Sequence, residues 1–168
     1  MRNLATERMF LVHPYDDHHI EMIKDFEDYH SCPGKWTDQL GILRSSVSKE
    51  EYDEERKEKN EIDEILCCEK ASKILGIWHV QGEKDIRLAR VHMIFSSEKV
   101  QKVVPIVLDF VFRSWQLEEL FMMVHPDDKD MIHYLEVHGY ENLGEENGEI
   151  LYLIEREMLN QPKDNVMI

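Results

Sequence analysis

The segment that constrains this chain most is residues 120–157, LFMMVHPDDKDMIHYLEVHGYENLGEENGEILYLIERE. Its apolar run 120–124 is too short for a helix and leads into His125-Pro126, where the proline disfavours helix in the residue before it, so the run is a buried strand. A helix then opens at Asp127 or Asp128, either of which can accept from the free N–H groups of the first turn. Met131, Tyr134, Leu135 and His138 follow at helical spacing. Gly139 stops the helix by taking the left-handed conformation that a side chain reaches only at a cost. Residues 140–143, a Glu-rich turn at 144–148 and residues 150–154 then read as a hairpin.

Upstream, residues 9–12 form a short strand stopped by His13-Pro14. Asp16 or Asp17 caps a helix that places Ile20, Met22, Ile23, Phe26 and Tyr29 on one broad side. A break at 31–34 precedes a less regular segment anchored by Trp36, Leu40, Ile42 and Leu43. Residues 48–63 (SKEEYDEERKEKNEID) are almost wholly charged, with Glu55 and Lys59 at i, i+4, as in a solvated helix or a flap. Strand patterns at 64–69, 74–80 and 86–95 are joined by links short enough for hairpins and predict an antiparallel meander. Val103, Val104, Val107, Leu108, Val111 and Trp115 then recur at helical spacing, as on a helix buried against a sheet. Pro105 sets the start of that helix near residues 101–104, because proline is best tolerated in the first turn.

Composition narrows the function classes. The 168 residues are 42% apolar, enough for one substantial core and a single domain. With 20 Lys and Arg against 35 Asp and Glu the formal charge is −15, which argues against nucleic acid or a membrane as partner, since both call for a basic surface. A cationic amine suits such a chain, although acidity also serves solubility. Cys32, Cys67 and Cys68 are odd in number, and two are adjacent in a strand, where neighbouring side chains point to opposite faces; no disulfide framework is expected. No apolar run approaches the roughly 20 residues that span a bilayer, and the N-terminus lacks a signal-like core, so a reduced, cytoplasmic setting is expected. His13, Asp16, Asp17, His18 and His19, with His30 and Cys32 beyond, raise the question of a metal. His18 and His19 diverge on a helix, however, and no Cys-x-x-Cys or His-x-x-x-His spacing supports them, so no metal site is expected.

The frame at 120–154 resembles the C-terminal half of the GNAT acyl-CoA-dependent N-acetyltransferases. There a strand precedes a helix reading roughly Asn-x-x-Ala-x-x-Leu-Tyr-x-x-x-Gly-Phe, and a hairpin follows. The matching residues are Asp128, Met131, Tyr134, Leu135, Gly139 and Tyr140; the family's frequent Asn is Asp128 here and its frequent Tyr is Leu135. With the upstream order of elements the resemblance covers nearly the whole chain. It implies one α/β (α+β) domain with a mixed, mostly antiparallel central sheet of about seven strands flanked by about four helices.

The resemblance also implies an activity: transfer of an acyl group from acetyl-CoA, as co-substrate, to a primary amine such as a small amine, a peptide N-terminus or a lysine. The alternative is a GNAT-like binding or regulatory domain with lost or altered coenzyme A binding. In the family a turn reading Arg/Gln-x-x-Gly-x-Gly/Ala lets backbone N–H groups and a helix N-terminus meet the pyrophosphate. Here residues 94–103 (IFSSEKVQKV) contain no glycine; aligned without gaps, Glu98 takes the family's Arg position and Gln101 and Val103 its glycine positions, where side chains crowd a ligand. The residues left to hold the cofactor are Ile94 and Phe95 on the bulged end of the long strand, Ser96, Ser97, Lys99, Val100 and Lys102 at the turn, and Asp128. The loop equally reads as an ordinary connection with Ser97 as a helix cap. Catalysis calls for a base and an acid. His92 on the long strand and His125 after the next strand are apt bases because imidazole titrates near neutrality, with Glu69 and His79 as further candidates. The acid falls to Tyr134, which points about 100° away from the family's Tyr position at Leu135. A monomer and a homodimer are both open.

Overall fold

A computed structural model describes residues 7–29, 34, 36–46, 48–71, 73–96 and 99–159. Its elements run β1 (Arg8–Leu11), α1 (Asp17–Tyr29), α2 (Thr37–Ser46), α3 (Lys49–Glu58), β2 (Glu61–Lys70), β3 (Lys73–Glu83), β4 (Leu88–Ser96), α4 (Val100–Trp115), β5 (Glu119–Val124), α5 (Lys129–Val137), β6 (Glu141–Glu146), β7 (Glu149–Glu155) and α6 (Arg156–Leu159). The strands form one seven-stranded sheet in the order β1-β2-β3-β4-β5-β7-β6. Every neighbouring pair is antiparallel except β4 with β5, which α4 connects as a parallel crossover.

Side chains alternate along each strand, and both faces of the sheet are covered. One face carries the larger core, where Leu66, Trp78, Val80, Val91, Met122 and Tyr152 pack with Val103, Val107 and Leu108 of α4 and Met131 and Leu135 of α5. The other face packs Cys67 and Ile77 under Ile23 and Phe26 of α1 and Leu40 of α2. Cys68 belongs to the first core and Cys67 to the second, so the adjacent cysteines do point to opposite faces, both fully buried. Cys32 lies outside the described residues.

Helix starts follow the caps that the sequence offers. Asp16 accepts from the His18 N–H at 2.9 Å before α1, and Asp128 accepts from the Met131 N–H at 3.2 Å before α5. The charged stretch becomes α3, capped by Ser48 and burying none of its side chains, while its last residues are drawn into β2. With α3 and the short α6, the described residues hold six helices where about four were expected.

Three further expectations are corrected. Helix α4 starts at Val100, so Pro105 lies in its second turn. The backbone bond that proline cannot make leaves the Gln101 carbonyl without its helical donor; both residues are exposed, and water can satisfy that carbonyl. Tyr29 is 83% exposed at the end of α1, and Ile42 is 69% exposed because it stands two residues from Leu40, well round the helix from the buried stripe. The cap of α4 is Lys99, which offers no side-chain acceptor, whereas Ser97 lies outside the described residues.

Candidate active site

The parallel contact between β4 and β5 is brief. Arg90 pairs with Phe121, Val91 with Met122 and His92 with Met123, and there the ladder ends, although β4 runs on to Ser96 and β5 to Val124. On its other side β4 stays paired with β3 as far as Ser96 opposite Gly76. Ile77 faces Phe95 while Trp78 faces Met93, so Ile94 is the extra residue of a β-bulge at the point where the strands part. The edge of β4 turned towards β5 therefore presents N–H and C=O groups beyond His92 that the sheet does not use. Ile94, Phe95, Ser96 and Val100 enter this description through their backbone alone.

Alternation sorts the side chains around this gap. Val91 points into the larger core, so His92 belongs to the face covered by α1 and α2, as does His79, its partner across β3. His92 Nε2 lies 3.2 Å from Glu149 Oε1, with both side chains about a third exposed. Its Nδ1 is buried without a hydrogen-bond partner among the described residues. The His79 ring is 6.5 Å from that of His92, and its Nε2 is held at 2.6 Å by Asp63. The Trp36 ring meets His79 edge-on at 6.0 Å. Arg90, also on this face, pairs with Glu146 at 3.4 Å.

Trp36 is placed there by a buried carboxylate. Glu27 of α1, 1% exposed, accepts from the N–H groups of Trp36 and Thr37 at 2.9 and 3.1 Å and from the Thr37 hydroxyl. One helix thus caps the next, neutralising the positive end of α2 and fixing its approach to the sheet. Neither Glu27 nor Glu149 stands out in the sequence, because each acts on a partner from another element. Glutamate is too common here, and Glu149 too far from His92 along the chain, for spacing to reveal either.

Tyr134 and His125 do not join His92. Tyr134 packs in the core on the opposite face beside Tyr140, with its ring 4.4 Å from His138. Burial, with a smaller contribution from Tyr140, pushes its hydroxyl pKa up to about 12. Leu135, at the family's Tyr position, is fully buried. His125 is exposed after β5, where its Nδ1 accepts from the Asp127 N–H at 3.1 Å. Of the further base candidates, Glu69 is buried beside Arg8 at the β1 edge.

At the mouth of α4, Lys99 is exposed and its carbonyl closes the first turn onto Lys102 and Val103. Lys102 Nζ lies 3.8 Å from Glu7. Val103, expected to crowd a ligand, is instead fully buried, its side chain turned into the core and away from the helix mouth. Asp128 is engaged as the cap of α5. Among the described residues no group of three or more His, Cys, Asp or Glu is placed to hold a metal ion, and no helix is long and apolar enough to cross a membrane.

No protein-family model and no curated protein matches the sequence. Solved structures do match. The apo form of FdhC, described as a nucleotide-linked sugar GNAT, is 15% identical with a TM-score of 0.62, over 97% of this chain and 94% of that one. Spermidine N-acetyltransferase from Vibrio cholerae, in complex with CoA and spermine, is 14% identical with a TM-score of 0.61, over 94% and 98%. The Campylobacter jejuni N-acetyltransferase PseH in complex with acetyl coenzyme A is 10% identical with a TM-score of 0.58, over 90% and 99%. Likeness at such low identity speaks for architecture, and together with the parted strands and the bulge it shows that this chain has the fold of the GNAT N-acetyltransferases.

Proposed function

We propose that the chain is an N-acetyltransferase that moves the acyl group of acetyl-CoA to a primary amine, whether a small amine, a peptide N-terminus or a lysine. The observation that carries this reading is the parting of β4 from β5 beside the bulge at Ile94. Residues 93–96 offer unpaired backbone donors and acceptors there, and the amides of a pantetheine arm can pair with such an edge as an added strand would. In this reading Lys99 and the positive end of the α4 dipole take the pyrophosphate, with the backbone of Ser96 and Val100 and a second ammonium from Lys102. His92 is the base beside the gap. Tyr134 is not assigned the proton-donor role, because it packs in the core on the face opposite His92. A formal charge of −15 favours a cationic acceptor.

The absence of glycine from residues 94–103 favours a second reading, a GNAT-like binding or regulatory domain without turnover. Calorimetric titration of the protein with acetyl-CoA separates the two. Binding is expected, with Lys99→Ala and Lys102→Ala each weakening it several-fold, and turnover is expected with an amine panel. Silence at millimolar acetyl-CoA removes the acetyltransferase reading; binding without turnover of any amine leaves the second.

A further inference from the structure

The contact between His92 and Glu149 reaches over an intervening strand. Met123 of β5 stands between His92 of β4 and Leu151 of β7 in the sheet register, and Glu149 lies two residues past Leu151, on the same face and towards the open end of the gap. The pair therefore spans the point where β4 and β5 separate.

Hydrogen-bond chemistry fixes the imidazole's form. A carboxylate can only accept, so Nε2, 3.2 Å from Glu149 Oε1, carries the hydrogen. In neutral imidazole the lone pair then resides on Nδ1, the atom that is buried and unpartnered among the described residues. A buried acceptor without a partner, on a strand that parts from its neighbour one residue on, is suited to a ligand's hydrogen once the atoms that bury it give way.

We infer that Glu149 is a positioning residue that holds His92 as its Nε2–H tautomer and so keeps the Nδ1 lone pair for the acceptor amine. This rests on the acetyltransferase reading. The substrate ammonium gives one proton to Nδ1, and the freed amine nitrogen attacks the thioester carbonyl carbon. A C–N bond forms and the C–S bond breaks with its electron pair going to sulfur; the second amine proton ends on the thiolate, and His92 returns its proton to solvent. Among the described residues, the other charged or titratable groups on the face of His92 beside it are His79 of β3, backed by Asp63 of β2, and Arg90 of β4, already matched by Glu146 of β6. Glu149 is the group among them that touches the imidazole. His79, one strand further from the gap, has no such place.

Nitrogen-15 NMR of the histidine rings in the full-length protein tests the assignment. In the parent, His92 is expected as the Nε2–H form with an unprotonated Nδ1. In Glu149→Gln the amide can turn its NH2 group to Nε2, and the population moves to Nδ1–H. Glu149→Gln should lower kcat about 10- to 100-fold, less than the roughly 100- to 10,000-fold that a general base itself contributes, at unchanged acetyl-CoA affinity, and Glu149→Asp should restore part of the loss. An Nδ1–H tautomer in the parent, or an unchanged kcat in Glu149→Gln, overturns the inference. The tautomer comparison between the parent and Glu149→Gln needs no turnover, so it judges Glu149 even if the titration disposes of the acetyltransferase reading.

Discussion

His13 stands between two polar neighbours, His19 and Arg56. Its backbone N–H donates to His19 Nδ1 at 3.2 Å, and its own Nδ1 lies 3.1 Å from the Arg56 guanidinium, which also holds Glu64 at 2.7 Å. A guanidinium only donates, so His13 accepts and must be neutral there. Burial first, then Arg56, hold the pKa of His13 below its ordinary value of 6.5, and burial does the same to His19 despite the nearby Asp16. The unfolded chain thus takes up protons near 6.5 while the folded one refuses them, so stability is full above that value and falls as the pH drops through the folded values. Linkage caps the slope at about 1.4 kcal/mol per pH unit for each histidine. Glu64, raised by burial above 4.5, works in the opposite sense and at lower pH. Urea midpoints are therefore expected to decline just below pH 6.5, and His13→Asn should make the decline shallower; a slope identical to the parent's would assign it to other groups.

Among the elements, the β3–β4 hairpin tolerates least. Gly82 faces Ala89, and a Cβ at Gly82 would overlap the Leu88 carbonyl oxygen and come within 2.7 Å of the Ala89 Cα, both backbone atoms that cannot swing aside. Gly82→Ala is expected to cost about 1–3 kcal/mol, as overpacking does, read as a lower denaturation midpoint; a neutral effect would show that the hairpin can slide. Sequence patterns located most elements because their signals are local. Asp128 and Gly139 bracket α5, and the meander alternates as sheets do. Nothing in the glycine at 82 distinguishes it from a turn residue until Leu88 and Ala89 are seen beside it. The site divides along the same line. His92 and the end of the long strand were named as candidates from the sequence, while the contacts of Glu27, Asp63 and Glu149 run between elements and left no spacing to read. Tyr134, chosen for its nearness to the family's Tyr position, was placed by the helix phase in the core on the face opposite His92.

For the whole molecule the consequential feature is a sheet with a hydrophobic layer on each side. The layers are unequal: α4 and α5 cover the larger core, and α1 and α2 cover a smaller one over β1, β2 and β3, on the face to which His92 belongs. The adjacent cysteines sample the two layers separately, Cys67 beneath α1 and α2 and Cys68 beneath α4 and α5. Burial raises the Cys67 pKa, so it reacts as thiolate only when its layer lifts. With Cys32 replaced by Ser, alkylation rates under native conditions become two clocks one residue apart, and Cys67 is expected to run faster; equal rates would mean that the layers open as one. Two neighbouring thiols thus turn the molecule into its own gauge of which side breathes first.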